Sequence, residues 1–231
     1  MVKNLKKKDK VSVIIRTKNE AMWVGHAIQS VLDHLYKPEI IIVDNFSTDE
    51  TISIVRQFLQ DPKLSDKNNR NYVKIKICKI EYYTPGRALN YAVKKCTNDL
   101  ILILSAHCVL KKFNLTSIKR ELKKFSCIFG KQNPVYFGKK INKRYIWSHF
   151  CNQRVINMYS KLEKRYFFHN ALAIFSKKIL KKFKFDENLA GKEDRYWINN
   201  LVGKKHKFLY DPEIEADHHY TPNGNTWKGI G

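Results

Sequence analysis

The chain predicts an α/β fold, an α/β/α sandwich with a mostly parallel central sheet, and three observations carry that prediction. Two β-branched runs, Val11 to Ile15 and Ile40 to Val43, each end in polar residues and are followed by helix-forming sequence. A third run, Leu100-Ile101-Leu102-Ile103-Leu104, is continuously apolar, as a strand buried on both faces must be. Strand and helix patterns alternate between them, which calls for a parallel sheet with right-handed crossovers. With 231 residues and 43% hydrophobic content the chain can bury one sizeable core. There is no linker and no internal repeat, so residues 1–231 read as one domain.

The first strand is Val11 to Arg16. Ala21, Val24, Ile28, Val31 and Leu35, with Ala27 and Leu32 beside them, form the apolar stripe of the helix that follows. Pro38 breaks that helix before the second strand, Ile40 to Asp44. Ser47, Thr48 and Asp49 offer N-caps for a helix over Glu50 to Leu59. Asp61 to Asn71 is polar and reads as a surface loop. Val73 to Ile80 alternates Val73, Ile75 and Ile77 with Lys74, Lys76 and Lys79, a strand with one wet face near a sheet edge. Thr84-Pro85-Gly86 opens a helix over Arg87 to Cys96, and Asn98-Asp99 stops it before the apolar strand. The second half is less regular. It predicts a basic helix over Thr116 to Phe125 and a short strand over Cys127 to Gly130. A long, aromatic-rich helical stretch is expected from Arg144 to Lys164. A strand over Ala171 to Phe175, a helix over Lys192 to Leu201 and a strand over His206 to Tyr210 complete the pattern. The Gly-rich tail, Asn223 to Gly229, reads as a lid anchored by Trp227.

The formal charge is +23, from 44 basic and 21 acidic residues. Such an excess suits polyanions: nucleic acid, anionic lipid or phosphorylated ligands. The lysines are scattered, at Lys6 to Lys8, Lys94-Lys95, Lys111-Lys112, Lys123-Lys124, Lys177-Lys178 and Lys181-Lys182. They make either solvated helix faces or a basic surface facing an anionic membrane. No nucleic-acid-binding signature accompanies them, so no nucleic-acid partner is expected. Five cysteines with no CxxC pair fit a reducing compartment without a disulfide framework or zinc ribbon. Met1 to Lys10 lacks the apolar core of a secretory signal, and no apolar run approaches about 18 residues. A soluble or peripherally attached cytoplasmic protein is the expectation.

Chemistry-bearing residues collect at the predicted strand ends, where open α/β sheets bind ligands. Thr17, Asn19 and Glu20 end the first strand, although Glu20 also suits a helix N-terminus. Asp44 ends the second, as a nucleoside acceptor or an Asx-turn residue. Gly86-Arg87-Ala88-Leu89-Asn90 places free N–H groups and a guanidinium at a helix start, a phosphate cradle or simply a turn. Ser105-Ala106-His107-Cys108 follows the apolar strand. Glu193 and Asp194 open a late helix, and His218 and His219 are adjacent near the end, where only one of two strand neighbours can face a given side.

The wording of these segments, Val-Ser-Val-Ile-Ile-Arg-Thr-Lys-Asn-Glu followed by Glu-Ile-Ile-Ile-Val-Asp-Asn-Phe-Ser-Thr-Asp-Glu-Thr, closely resembles the family 2 glycosyltransferases. The likeness covers residues 11–110 strongly and 165–220 in part. It implies a GT-A-like, Rossmann-related sandwich in which residues 11–110 bind a nucleotide-sugar and residues 111–231 bind the acceptor. It implies nucleotide contacts from Thr17, Asn19, Glu20, Asp44, Gly86, Arg87, Asn90, Ser105 and Ala106. Most members carry Asp-x-Asp where this chain has Ser105-Ala106-His107. A divalent metal, Mn²⁺ or Mg²⁺, would then rest on His107 with His218 or His219. Losing two carboxylates favours softer Mn²⁺, or leaves the diphosphate to Lys and Arg without metal; His107 could equally cap the strand. Phe185 to Trp197 resembles the family's acidic acceptor stretch, so Asp194 is the expected general base with Glu193 as alternate. Arg195, Trp197, His169 and Asn170 would border donor sugar and acceptor. The resemblance implies an inverting transferase moving sugar from a nucleotide-diphosphate donor to a glycan or lipid-linked hydroxyl. Its place would be surface polysaccharide or lipopolysaccharide assembly at the inner membrane face. A nucleotide-sugar-binding protein without catalysis is the rival reading.

Overall fold

The computed structural model describes residues 10–69, 71–143, 145–222 and 224–227. Lys6 to Lys8 and the rest of the N-terminal segment through residue 9 lie outside the described residues, as do Arg144 and, in the tail, Asn223, Lys228 and Gly229.

Strand β1 (Val11–Thr17) is buried at every position but Arg16. Helix α1 (Val24–His34) turns Val24, Ala27, Ile28 and Val31 inward, as its spacing requires. Strand β2 (Glu39–Asp44) is buried throughout. Helix α2 (Thr51–Gln60) is followed by a single short turn, α3 (Pro62–Ser65), capped by the Asp61 side chain. Strand β3 (Lys74–Lys79) keeps its exposed lysines at the sheet edge. Helix α4 (Pro85–Lys95) starts at Thr84, whose hydroxyl accepts the Arg87 N–H, and β4 (Leu100–Leu104) follows. The second half adds β5 (Cys108–Lys112), α5 (Leu115–Glu121), β6 (Cys127–Tyr136), β7 (Lys139–Lys140), β8 (Val155–Ile156), β9 (Tyr159–Ser160), β10 (Arg165–Tyr166) and β11 (Leu172–Ser176). It ends with α6 (Lys177–Lys182), α7 (Glu193–Gly203) and β12 (Phe208–His219).

The main sheet has the order β3-β2-β1-β4-β11-β6-β12-β5. Strands β3, β2, β1 and β4 are parallel. Strand β11 enters antiparallel between β4 and β6. Two antiparallel steps restore direction, so β6 runs the same way as β4 and pairs parallel with β12. The C-terminal ends of β1, β2, β4, β6 and β12 therefore share one edge of the sheet. Alternating side chains feed two cores. Ile14, Ile41 and Phe129 face Leu89 of α4 and Trp197 and Leu201 of α7. Val13, Ile15 and Leu102 face Ile28 of α1, Val55 of α2 and Ile118 of α5. Each fully buried Leu or Ile contributes about 1.5–3 kcal/mol, and β4 supplies both layers.

The structure corrects the second half. Residues 145–164 are not a helix: Tyr145–His149 is one 3-10 turn, and the rest is loop and turn around the two-residue strands β8 and β9. Trp147 and Phe150 sit one turn apart and are buried, but Tyr145, Asn157 and Lys164 adopt left-handed backbone that a continuous helix excludes. The strand begun at Cys127 runs on to Tyr136, and the one expected to stop at Tyr210 runs on to His219. The cap residue of α2 is Glu50, without a side-chain bond, while the Asp49 carboxylate accepts N–H groups of Thr51 and Ala21.

Candidate active site

A cavity of about 500 Å³ opens at the shared C-terminal edge of β1 and β4. Its wall includes Arg16, Thr17, Lys18 and Glu20 after β1, Ser105 and His107 after β4, His169 and Asn170 before β11, Lys192 to Arg195 at the start of α7, and His218 on β12. A parallel sheet puts the loops that follow its strands on this side, which is why residues far apart in sequence meet here.

The start of α7 is unusual. Lys192 caps it with φ 62, a left-handed conformation that costs a non-glycine residue about 1 kcal/mol. Two adjacent carboxylates follow, both buried. Glu193 accepts from Arg16 Nη1 at 3.1 Å and from Asn170 Nδ2 at 3.0 Å. Burial alone would raise its pKa, but the Arg16 charge, with the hydrogen bonds, outweighs burial and holds it below the usual value. For Asp194, burial and Glu193 raise the pKa more than two backbone hydrogen bonds and the Arg195 charge lower it. Asp194 accepts the Arg195 N–H at 2.8 Å and, at 3.4 Å, the Asn170 N–H. Burial, then the charge of Glu193, pushes Asp194 up to about 7. Neighbouring carboxylates driven in opposite directions divide into a permanent anion and a proton acceptor poised near neutrality.

The opposite wall carries imidazoles. His107 is buried, and its Nδ1 lies 3.1 Å from Glu20 Oε1. A carboxylate only accepts, so in the neutral ring the proton sits on Nδ1 and Nε2 keeps its lone pair. Nε2 lies 3.4 Å from Ser105 Oγ. His218 repeats the arrangement: Nδ1 is 2.8 Å from Gln132 Oε1, and the buried Nε2 has no partner among the described residues. The two rings are 4.8 Å apart between centroids. Burial, reinforced by His107 and His169, holds the His218 pKa well below its usual value, so the ring stays neutral. Burial also lowers His169, to about 4. Glu20 Oε2 and His169 Nδ1 are buried without partners among the described residues. Among the described residues no cluster of three His, Cys, Asp or Glu side chains is ready-made for a metal. The pair His107 and His218, each with one nitrogen fixed by a side-chain acceptor and the other directed away from it, has the donor chemistry that could hold a divalent cation.

Several predicted residues do not reach this wall. Asp44 is buried beneath it, accepting from the Thr17 and Ser47 hydroxyls and the Ser47 N–H. Asn19 organises the same loop by accepting the Thr48 N–H. Asn90 bonds the Phe185 backbone and Glu187, and Gly86 is packed so closely that an added Cβ would lie 2.1 Å from the Asp186 carbonyl oxygen. Arg87 is exposed at the same helix start, and Ala106 is buried under the wall. Trp197 lies in the core, stacked on Phe185 and donating to the Phe183 carbonyl. His219 faces the other side of β12 and stacks on Trp23 at 3.9 Å. Conversely, Arg16, Tyr83 and Lys192 line the cavity without having been singled out by sequence. Arg16 had a signal: a charge on an otherwise apolar buried strand needs a partner.

Residues 12–184 match the family described as glycosyl transferase family 2. The chain is 35% identical over 104 residues to an uncharacterized glycosyltransferase of Rickettsia felis, covering 45% of this chain and 31% of that protein. It is 25% identical over 111 residues to the poly(ribitol-phosphate) beta-N-acetylglucosaminyltransferase TarS of Staphylococcus aureus, covering 46% of this chain and 18% of that protein. Among solved structures, TarS 1–349 with UDP-GlcNAc superposes with a TM-score of 0.65 at 19% identity over 93% of this chain and 60% of that chain. The mannosyltransferase PcManGT of Pyrobaculum calidifontis, with GDP-Man and Mn²⁺, superposes with a TM-score of 0.61 at 15% identity over 93% and 58%. The chain thus spans less than a third of the curated relatives' length. These structural likenesses are to the GT-A fold.

Proposed function

The chain belongs to glycosyl transferase family 2, and from that premise we propose that it transfers a sugar from a nucleotide-diphosphate donor to a hydroxyl acceptor with inversion. The observation that carries the reading is Asp194: a buried carboxylate titrating near neutrality, in a cavity at the C-terminal edge of a parallel sheet. The donors named in the TarS and PcManGT structures support a nucleotide-sugar here. The poly(ribitol-phosphate) named for TarS supports a polymer acceptor, which this reading takes to be a surface polysaccharide. No helix among the described residues is long and apolar enough to cross a membrane.

Asp194 takes the proton of the acceptor hydroxyl as its oxygen attacks the anomeric carbon. The bond from that carbon to the donor phosphate breaks, and the nucleoside diphosphate leaves. Glu193 stays ionised against Arg16, and its charge keeps Asp194 basic enough to accept the proton. Glu20 and Gln132 hold His107 and His218 with their Nε2 lone pairs available. A divalent cation bound on those two nitrogens would supply charge neutralisation for the leaving diphosphate. Arg16, Lys18 and Lys192 add positive charge to the same cavity. Thr17, Glu20, Ser105, His169, Asn170 and Arg195 shape the donor and sugar subsites.

The test is thermal-shift binding of UDP, GDP, dTDP and CDP, each with and without Mn²⁺. A true donor nucleotide stabilises by about 2.7 kcal/mol at a hundredfold excess over its Kd. One nucleotide acting only with Mn²⁺, and losing its effect in His107→Ala, is the expected result. The same nucleotide acting without metal would retire the histidine pair as ligands. No response to any of them would sink the transferase reading, and unchanged transfer by Asp194→Asn would sink the base.

A further inference from the structure

We infer that the β6–β7 hairpin is a docking surface for an anionic lipid bilayer. Tyr136 to Lys143 reads Tyr-Phe-Gly-Lys-Lys-Ile-Asn-Lys, and every residue of it is exposed. Phe137 is 68% exposed and Tyr136 45%, while Lys139 and Lys140 form the return strand. Large aromatics beside lysines, packed only against Tyr220 and Trp227 among the described residues and still largely exposed, are the composition of a membrane–water interface. The backbone gives a second, independent sign. Phe137 and Gly138 occupy the two-residue turn with φ 43 and φ 80. That turn favours Asn-Gly, and a bulky side chain in its first position is an outlier. An aromatic kept at the tip against the local preference of the turn points to a contact made outside the fold.

The hairpin's position ties it to the cavity. Strand β6 runs in the direction of β4, so the tip lies at the same sheet edge as the candidate active site. A chain of rings joins them: Phe137 to Tyr220 at 5.6 Å, Tyr220 to Trp227 at 5.6 Å and Trp227 to His218 at 6.2 Å. Docking by the tip would turn the cavity mouth toward the membrane, where a lipid-linked acceptor lies. That last consequence rests on the transferase reading; the docking itself does not.

The experiment is co-sedimentation of the full chain with vesicles of phosphatidylcholine alone and of phosphatidylcholine mixed with phosphatidylglycerol. The wild type is expected to bind the anionic vesicles only. Lys139→Gln with Lys140→Gln should weaken binding roughly thirtyfold, about fivefold for each lysine. Lys123→Gln with Lys124→Gln removes the same charge at the opposite end of β6 and should change binding far less. Phe137→Asn suits the left-handed turn, so it should leave the thermal midpoint equal or higher while binding falls. Equal loss from both lysine pairs, full binding by Phe137→Asn, or no binding by the wild type would each overturn the inference. The nucleotide thermal shift reports separately: hairpin-dependent sedimentation without any nucleotide response would refute the transferase and leave the docking surface standing.

Discussion

Replacing Asp194 with Asn separates a general base from a buried structural carboxylate, because the two roles leave different pH signatures. A carboxyl whose folded pKa is raised contributes stability below its unfolded value, 3.8, and loses it as pH rises through about 7. The wild type must charge this group in a dry site, and the Asn variant need not. Between pH 5 and pH 8 the shift removes about 2–3 kcal/mol from the wild type alone, at about 1.4 kcal/mol per pKa unit. For a chain of this size that is about 5–10 °C in Tm. The lowered His169 and His218 work in the opposite sense, adding stability as pH rises to about 6.5, but they are present in both proteins and cancel in the difference. The assay is therefore the Tm gap between Asp194→Asn and wild type, measured by thermal unfolding at pH 5 and pH 8. The gap should widen in favour of the variant while transfer falls by about 10²–10⁴-fold. A gap of the same size at both pH values would show that Asp194 does not titrate in this range, and the argument for it as the base would fail.

Further outcomes follow from other contacts. Glu20→Leu should lower Mn²⁺-dependent nucleotide affinity by about 10–100-fold, read by thermal shift, because it removes the acceptor that sets the His107 ring. Glu39 is held at about 2: burial raises it, but hydrogen bonds from Ser12, Thr97 and Lys76 outweigh burial. Its lowered pKa adds stability above pH 4.5 that is lost as pH falls through 2, so Glu39→Gln should cost about 2–3 kcal/mol at pH 7, measured by urea unfolding, and about 1 kcal/mol at pH 3. Gly86→Ala drives a methyl against the Asp186 carbonyl oxygen and should cost about 1–3 kcal/mol, with a lower urea midpoint.

The first half of the fold was legible because its strands are apolar runs or, in β3, a clean alternation with lysine, and its helices carry regular stripes. The second half hides its long strands. Strand β6 contains Gly130 and Pro134, and β12 contains Pro212 where its pairing with β6 shifts register between Asp211 and Glu215. Proline and glycine read as strand ends in sequence but sit at an irregularity here. Strand β5 ends in Lys111-Lys112 at the sheet edge and shows no apolar run. At the site, residue types were readable and pairings were not. Nothing local links Glu20 to His107, 87 residues apart, or Arg16 to Glu193, 177 apart. Gly86, Arg87 and Asn90 have the pattern of a phosphate cradle, yet the contacts of Gly86 and Asn90 are with the 185–187 backbone and Glu187.

The insertion of β11 between β4 and β6 has a consequence for synthesis. The ribosome completes β1 to β4 long before residues 172–176 emerge, and β4 gains its second neighbour only from that late segment. Until then Leu100 to Leu104 carries a row of unsatisfied N–H and C=O groups on one side and apolar side chains above and below. A nascent chain in that state is a template for pairing with another copy of itself. Residues 11–110 expressed alone would keep that bare edge permanently, so that piece should precipitate more readily than the whole chain.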